Sequence, residues 1–268
     1  MEAGMKTERI KIEIGLGSKV DIAHITDVHL CLADERDAHL IDHAKERSGV
    51  FFEEASQPEK TPSEYFCEAM EYSEANCDTC VITGDVIDFI SAKNLEESEK
   101  ILSGKNYMFT AGNHEFCPRV GVPDSFARKS DVFADIQASF GGDMFFEARV
   151  IGGVNLVTVD NSYYNYSAIQ IEKLKNEIKK GLPIIIFSHV PLSDPILKLD
   201  YHHRDLVLDE YMMDQNRGML ELIKSSDLIK AVFSGHWHVP VKKEITDQLT
   251  EYITPGLFKG MLTHIEIV

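Results

Sequence analysis

Five short stretches of this chain carry the residue types that hold metal ions. They are Asp27-Val28-His29, Gly84-Asp85-Val86-Ile87-Asp88, Gly112-Asn113-His114-Glu115, Ser188-His189 and Gly235-His236-Trp237-His238. Imidazole and carboxylate donors together suit zinc, iron, manganese, nickel or cobalt better than calcium. Each stretch alone has a plain structural reading. Asp88 would suit the start of a helix, Asn113 a turn, His189 a loop, and His236 with His238 the two faces of a strand. Asp-x-His is weak as a motif, since it recurs at 37–39 and 200–202, and only 27–29 follows an apolar run. Gly-His-x-His is expected about 0.03 times by chance from this composition, and Gly-Asn-His-Glu about 0.002 times. The separate readings fail jointly, because none predicts a polar set at the end of one apolar strand after another.

Those strands must position the donors. Arg9–Ile14 alternates polar and apolar, and Lys19–Thr26 follows a Gly15–Ser18 turn, so the pair reads as a hairpin ending at Asp27. Cys80-Val81-Ile82 leads into Asp85. Tyr107–Thr110 leads into Asn113, Leu182–Phe187 into His189, and Ile229–Phe233 into His236. Residues 33–60 are charge-rich and read as loop, helical piece and loop. Thr61 or Ser63 caps a helix to about Asn76, and further helices are expected near 93–102, 124–139, 167–180 and 212–225. Residues 143–150 and 154–159 form a tight hairpin across Gly152-Gly153, and 239–268 supply three short strands. Ligands in open α/β sheets gather beyond the carboxyl ends of strands. The layering is sheets in the middle and helices outside.

The bulk numbers narrow the function classes. The chain has 268 residues with a formal net charge of -17, so a basic nucleic-acid surface is not expected. No apolar run approaches a membrane span. Met1–Lys6 lacks the apolar core of a signal peptide, so a cytoplasmic protein is expected. Cys77-Asp78-Thr79-Cys80 has no second Cys-x-x-Cys and reads as two buried or half-buried thiols.

In chain order the five blocks resemble those of the calcineurin-like metallophosphoesterases, over about residues 20–240. The resemblance implies an α+β fold of four layers, α/β/β/α, in which a two-sheet mixed β-sandwich is flanked by helices. It implies one domain over 1–268, with an insertion at about 31–62. It also implies two divalent or mixed-valence transition metal ions (manganese, iron or zinc). One would be held by Asp27, His29, Asp85 and His238, the other by Asp85, Asn113, His189 and His236, with Asp85 bridging. A metal-bridging hydroxide would attack phosphorus in line. His114 would stabilise or protonate at the substrate, and Asp88 would fix its tautomer.

The expected partner is a small-molecule phosphate ester, diester or monoester. A metal-dependent nuclease or a non-catalytic scaffold are the alternatives. Three departures narrow the subfamily. Asp88 stands where purple acid phosphatases carry a tyrosine. The Ser/Thr protein phosphatases continue Asp-Arg-Gly where this chain has Asp88-Phe89-Ile90. Cyclic-nucleotide phosphodiesterases carry Asp where Glu115 stands. Substrate choice is expected from residues 30–60, from Asn161–Tyr166, whose tyrosines could stack on a base or sugar, and from Tyr201-His202-His203-Arg204.

Overall fold

The buried run Ile184-Ile185-Ile186-Phe187 shows how the layers arise. Successive strand residues point to opposite faces. Ile184 and Ile186 pack with Leu174, Met219 and Ile223, whereas Ile185 and Phe187 pack with Ile22, Val81 and Met108. The same division runs along the strand before Asp85. Cys80 and Ile82 meet Phe66 and Met70, and Val81 meets Leu156 and Phe187. A strand buried on both faces needs cover on both. Here one face meets a second sheet and the other meets helices.

A computed structural model describes residues 4–121, 126–194 and 210–268. The first sheet is ordered β1 (Lys6–Ile12), β11 (Met261–Ile267), β2 (Val20–Ile25), β3 (Thr79–Ile82) and β4 (Tyr107–Phe109). The second is ordered β5 (Phe146–Ile151), β6 (Val154–Val159), β7 (Ile184–Phe187), β8 (Ile229–Ser234), β10 (Thr250–Ile253) and β9 (Val241–Glu244). Helices α2 (Pro62–Asn76), α3 (Ala92–Leu102) and α4 (Phe126–Phe140) cover the first sheet, and α5 (Ala168–Ile178) and α6 (Glu210–Ser225) cover the second. Both sheets mix parallel and antiparallel pairs, so the α+β sandwich of four layers is the observed architecture.

Local chemistry sets several boundaries. Thr61 caps α2 in a reciprocal box with Glu64, and Pro62 starts the helix. Ser167 and Gln170 do the same for α5. The β5–β6 hairpin turns on Gly152 (φ 54°) and Gly153 (φ 91°), the left-handed pair that a two-residue turn requires. Cys77 and Cys80 are free, half-buried and buried respectively.

One expected pairing does not occur. β1 and β2 are not a hairpin, because β11 lies between them, parallel to β1 and antiparallel to β2. The Ile14 and Gly15 amides both donate to the Val268 carbonyl, so the connection passes over the end of β11. Alternation reports which face of a strand is buried, not which strand lies beside it. β11 buries Leu262, Ile265 and Ile267 and takes the inner place; β1, with charged residues facing out, takes the edge.

The stretch after His29 folds as a 3-10 turn, Glu35–Leu40, followed by α1 (Ile41–Glu54). Leu40, Ala44 and Phe51 pack it against Cys31, Phe89 and Phe258. Residues 201–204 and 124–125 lie outside the described residues. Among the described residues, no helix is long and apolar enough to cross a membrane.

Candidate dinuclear metal centre

Strands β2, β3 and β4 run parallel in one sheet, and β7 and β8 run parallel in the other. Their carboxyl ends meet at one edge of the sandwich, so the five polar stretches converge. The loops are bonded to one another there. The Asp27 amide donates to the Gly84 carbonyl, His29 to Asp85, and Gly235 to His189.

The backbone is unusual at the residues that carry the chemistry. Asp27, His29, Asp85, His236 and His238 have φ of 52°, 53°, 50°, 67° and 56°. Non-glycine residues seldom occupy this left-handed region, and each such residue costs about 1–3 kcal/mol unless its surroundings impose it. Close approach also explains two of the motif glycines. A Cβ on Gly112 would lie 2.1 Å from Asp85 Oδ1, and one on Gly235 would lie 2.2 Å from Asp27 Oδ2.

Two donor groups result, and His29, Asp85 and His114 form a third close set that shares a residue with each. In the first, His238 Nε2 is 3.2 Å from Asp27 Oδ1 and 3.1 Å from His29 Nε2, with His29 Nε2 3.8 Å from Asp27 Oδ1. In the second, His189 Nε2 is 3.2 Å from Asp85 Oδ2 and 3.2 Å from His236 Nδ1. Asp85 Oδ2 also lies 3.9 Å from His29 Nε2, which places this carboxylate between the groups. Asn113 Oδ1 is buried and has no hydrogen-bond partner, an uncommon state for a buried amide oxygen.

The four imidazoles are oriented by their remote nitrogens. His189 Nδ1 donates to the Thr83 carbonyl at 2.8 Å. His29 Nδ1 meets Asp88 Oδ1 at 3.1 Å, and His238 Nδ1 meets Glu54 Oε1 at 3.1 Å. His236 is turned round, with Nε2 on the Tyr164 hydroxyl at 2.8 Å. A carbonyl or carboxylate can only accept, so His29, His189 and His238 carry a proton on the remote nitrogen and turn the other toward the centre, whereas the Tyr164 hydroxyl, able to donate or accept, orients His236 without fixing its tautomer. Lone pairs converging in this way, with two buried carboxylates and an unpartnered amide oxygen, fit transition-metal ions.

The electrostatics agree. Burial would raise the Asp27 and Asp85 carboxyls, yet the surrounding imidazoles hold both well below the usual carboxylate range. Burial would lower His189, yet Asp85 and Asp27 outweigh it and bring the ring to about 9. His236 is pushed down to about 3 by burial and by His189. The carboxylates thus demand positive charge, from imidazole protons or from cations that displace them.

His114 lies beside these groups. Its Nδ1 donates to the Asp88 carbonyl at 2.7 Å and lies 3.1 Å from Asp88 Oδ1. Asp88 thus meets His114 chiefly through its main-chain carbonyl. Its carboxylate also takes His29 Nδ1 and, at 2.7 Å, Nε of Arg47. Glu115 is buried and accepts from the amides of Asp85 (2.8 Å), Val86 (2.7 Å) and Gly112 (2.7 Å), which pins the loop bearing Asp85.

Sequence reasoning missed Arg47, Glu54 and the bonding roles of Glu115 and Tyr164. The spacing 47, 51, 54 marks one helix face, but nothing local names what that face meets. The tyrosines of 161–166 do not offer faces for a base or sugar. Tyr163 is buried against Phe116 at 5.8 Å, Tyr166 is buried, and Tyr164 holds His236. A cavity of about 360 Å³ borders His29, lined by Phe51, Phe52 and Phe258 and also by polar residues such as Lys60, Ser63 and Glu64.

Comparison with known proteins places the chain in a family. A family model described as calcineurin-like phosphoesterase matches residues 20–240. No curated protein matches the chain. Among solved structures, a dimetal phosphatase from Danio rerio aligns with a TM-score of 0.54 at 13% identity, covering 90% of this chain and 88% of that one. A purple acid phosphatase from seeds of yellow lupin (Lupinus luteus) aligns with a TM-score of 0.53 at 11% identity, covering 89% of this chain and 44% of that one. Similarity at this level establishes the shared fold. The match over most of the sequence, on a fold that gathers two donor groups at one sheet edge, makes this chain a member of the calcineurin-like phosphoesterases, metal-dependent hydrolases of phosphoric esters.

Proposed function

We propose that the protein hydrolyses small organic phosphate esters, monoesters or diesters. In this reading Asp27, His29, Asp85 and His238 hold one transition-metal ion, and Asp85, Asn113, His189 and His236 hold a second. The observation that carries it is the orientation of the four imidazoles, each tethered at its remote nitrogen so that the other is left for the centre. When bound, such ions supply Lewis acidity, lowering the pKa of water and neutralising phosphoryl oxygens.

The chain's own residues do the rest. Asp85, set between the groups, keeps the two positions in register, and Glu115 keeps Asp85 there. His114 has its Nδ1 proton fixed on Asp88, so its reactive atom is Nε2. Burial opposes the charged ring, but Asp85 and Asp88 hold its pKa up to about 10. An imidazolium there binds a phosphoryl oxygen or hands its Nε2 proton to the leaving alkoxide. The cavity beside His29 offers the organic group of an ester both aromatic walls and polar side chains. The segment near 31–62, which supplies Phe51 and Phe52 to its wall, is then an insertion that shapes substrate choice within one domain.

The direct test combines bound-metal analysis with hydrolysis of p-nitrophenyl phosphate and bis-p-nitrophenyl phosphate in added manganese. Two equivalents of metal and turnover of at least one ester are expected. Two equivalents with no turnover of either would point to the scaffold reading. Comparable turnover of single-stranded DNA would point to a nuclease.

A further inference from the structure

We propose that α1 secures one of the two metal positions and leaves the other alone. Arg47, Phe51 and Glu54 would then be positioning residues for the group Asp27, His29 and His238. The inference rests on the two-metal reading above and assigns its parts.

The three residues stand at i, i+4 and i+7 on α1, a spacing that puts them on one face. Each reaches a different part of the centre. The Arg47 guanidinium takes the Asp88 carboxylate through Nε at 2.7 Å and Nη2 at 3.1 Å, and that same carboxylate takes His29 Nδ1 at 3.1 Å. The Phe51 ring stacks on His29, with centroids 4.2 Å apart and an interplanar angle of 23°, and meets Phe258 edge-on at 4.9 Å. Glu54 Oε1 takes His238 Nδ1 at 3.1 Å, and Lys259 Nζ lies 3.4 Å from the same oxygen. Arg47, Phe51 and Glu54 each reach His29 or His238, directly or through Asp88, whose Oδ1 also lies 3.1 Å from His114 Nδ1.

The other group is held by different parts of the chain. His189 is fixed by the Thr83 carbonyl and His236 by the Tyr164 hydroxyl, both outside α1. One group is therefore oriented by main chain and a buried tyrosine. The other depends on a helix from the segment that follows the first motif.

Beyond the centre, that helix is held by the packing of Leu40, Ala44 and Phe51 on Cys31, Phe89 and Phe258 and by His43, whose Nε2 accepts from the Val120 amide at 3.2 Å. The helix continues from the 3-10 turn that Asp34 caps, Gly49 lies in its interior, and its buried residues are His43, Ala44 and Phe51. Its docking and the order of His29 and His238 should support one another. Coupling between two equilibria is reciprocal. If a docked α1 tightens metal at this position, metal at this position must favour the docked helix by the same factor.

The experiment titrates Mn²⁺ into the metal-stripped full chain by calorimetry and follows amide hydrogen exchange of residues 41–54 with and without the ion. The unaltered protein should take two equivalents, and exchange in 41–54 should slow on loading. In Glu54→Gln and in Phe51→Leu, one equivalent should weaken about 10- to 100-fold, the usual cost of losing a residue that orients a ligand. The other equivalent should keep its affinity. Tyr164→Phe should show the converse, weakening the equivalent that the α1 variants spare. Equal weakening of both equivalents in the α1 variants, no weakening of either, or exchange in 41–54 indifferent to metal overturns the proposal. Fewer than two equivalents in the unaltered protein removes the two-metal reading itself, and the proposal with it.

Discussion

His114 and Asp88 act through a few atoms each, and their substitutions should separate. His114 donates Nδ1–H to a backbone carbonyl and belongs to neither the Asp27, His29 and His238 group nor the Asp85, His189 and His236 group. His114→Ala is expected to lower kcat by about 10²- to 10⁴-fold, the usual contribution of a general acid, with bound metal unchanged. Asp88 serves two masters, since Oδ1 lies within 3.1 Å of both His29 Nδ1 and His114 Nδ1. Asp88→Asn should therefore lower kcat and also weaken one metal equivalent. Metal content measured beside steady-state rates checks both, and a variant that loses rate with both metals intact would remove the link from Asp88 to His29. Asp88 was legible from sequence as an acid near the site. Its bond to His29 was not, because the partners are 59 residues apart and only the pairing of β2 with β3 brings them together.

Elements carry a pH signature of their own. His24 lies in β2, fully buried, with Nε2 on Thr83 Oγ1 at 2.9 Å and Nδ1 on Thr254 Oγ1 at 3.2 Å. It thereby joins β2 to the ends of β3 and β10. Burial pushes its pKa down from 6.5 to about 3, against the attraction of Asp27. The unfolded chain takes up this proton near pH 6.5 and the folded chain refuses it until near 3. The stability from His24 is thus whole above 6.5 and falls as pH drops through that window, by about 1.4 kcal/mol per unit. Urea midpoints at pH 7.5 and 5.0 should separate less in His24→Gln than in the unaltered protein; equal separation sinks the assignment. The strand was readable from its apolar run. Its neighbours were not, as the misplaced β1–β2 hairpin shows, since a period of two does not specify a partner.

At the scale of the whole molecule, carboxylate and imidazole donors from the ends of β2, β3, β7 and β8 are held in one place only in the folded chain. Any ion that binds this arrangement and not the unfolded chain stabilises it by about 2.7 kcal/mol at 100 times its Kd. Chelation should therefore lower Tm, and readdition of Mn²⁺ should restore it. In Asp85→Asn the response should shrink sharply, because that carboxylate stands between both groups. An unchanged Tm on chelation, with metal shown to be removed, would mean the site is equally satisfied by protons. The net charge of -17 does not oppose this chemistry, since the local balance of the centre and not the surface sum governs what binds there.

The sequence alone determined the layers and the donor types. Apolar runs of strand length followed by polar clusters dictate strands that deliver chemistry at their ends. Only the tertiary structure decided which nitrogen of each histidine is left for the centre, which strand lies beside which, and what α1 touches. Those facts rest on contacts between residues tens to hundreds of positions apart, as between Glu54 and His238. No local pattern encodes such a contact, because it exists only after both sheets have packed and the chain ends have met.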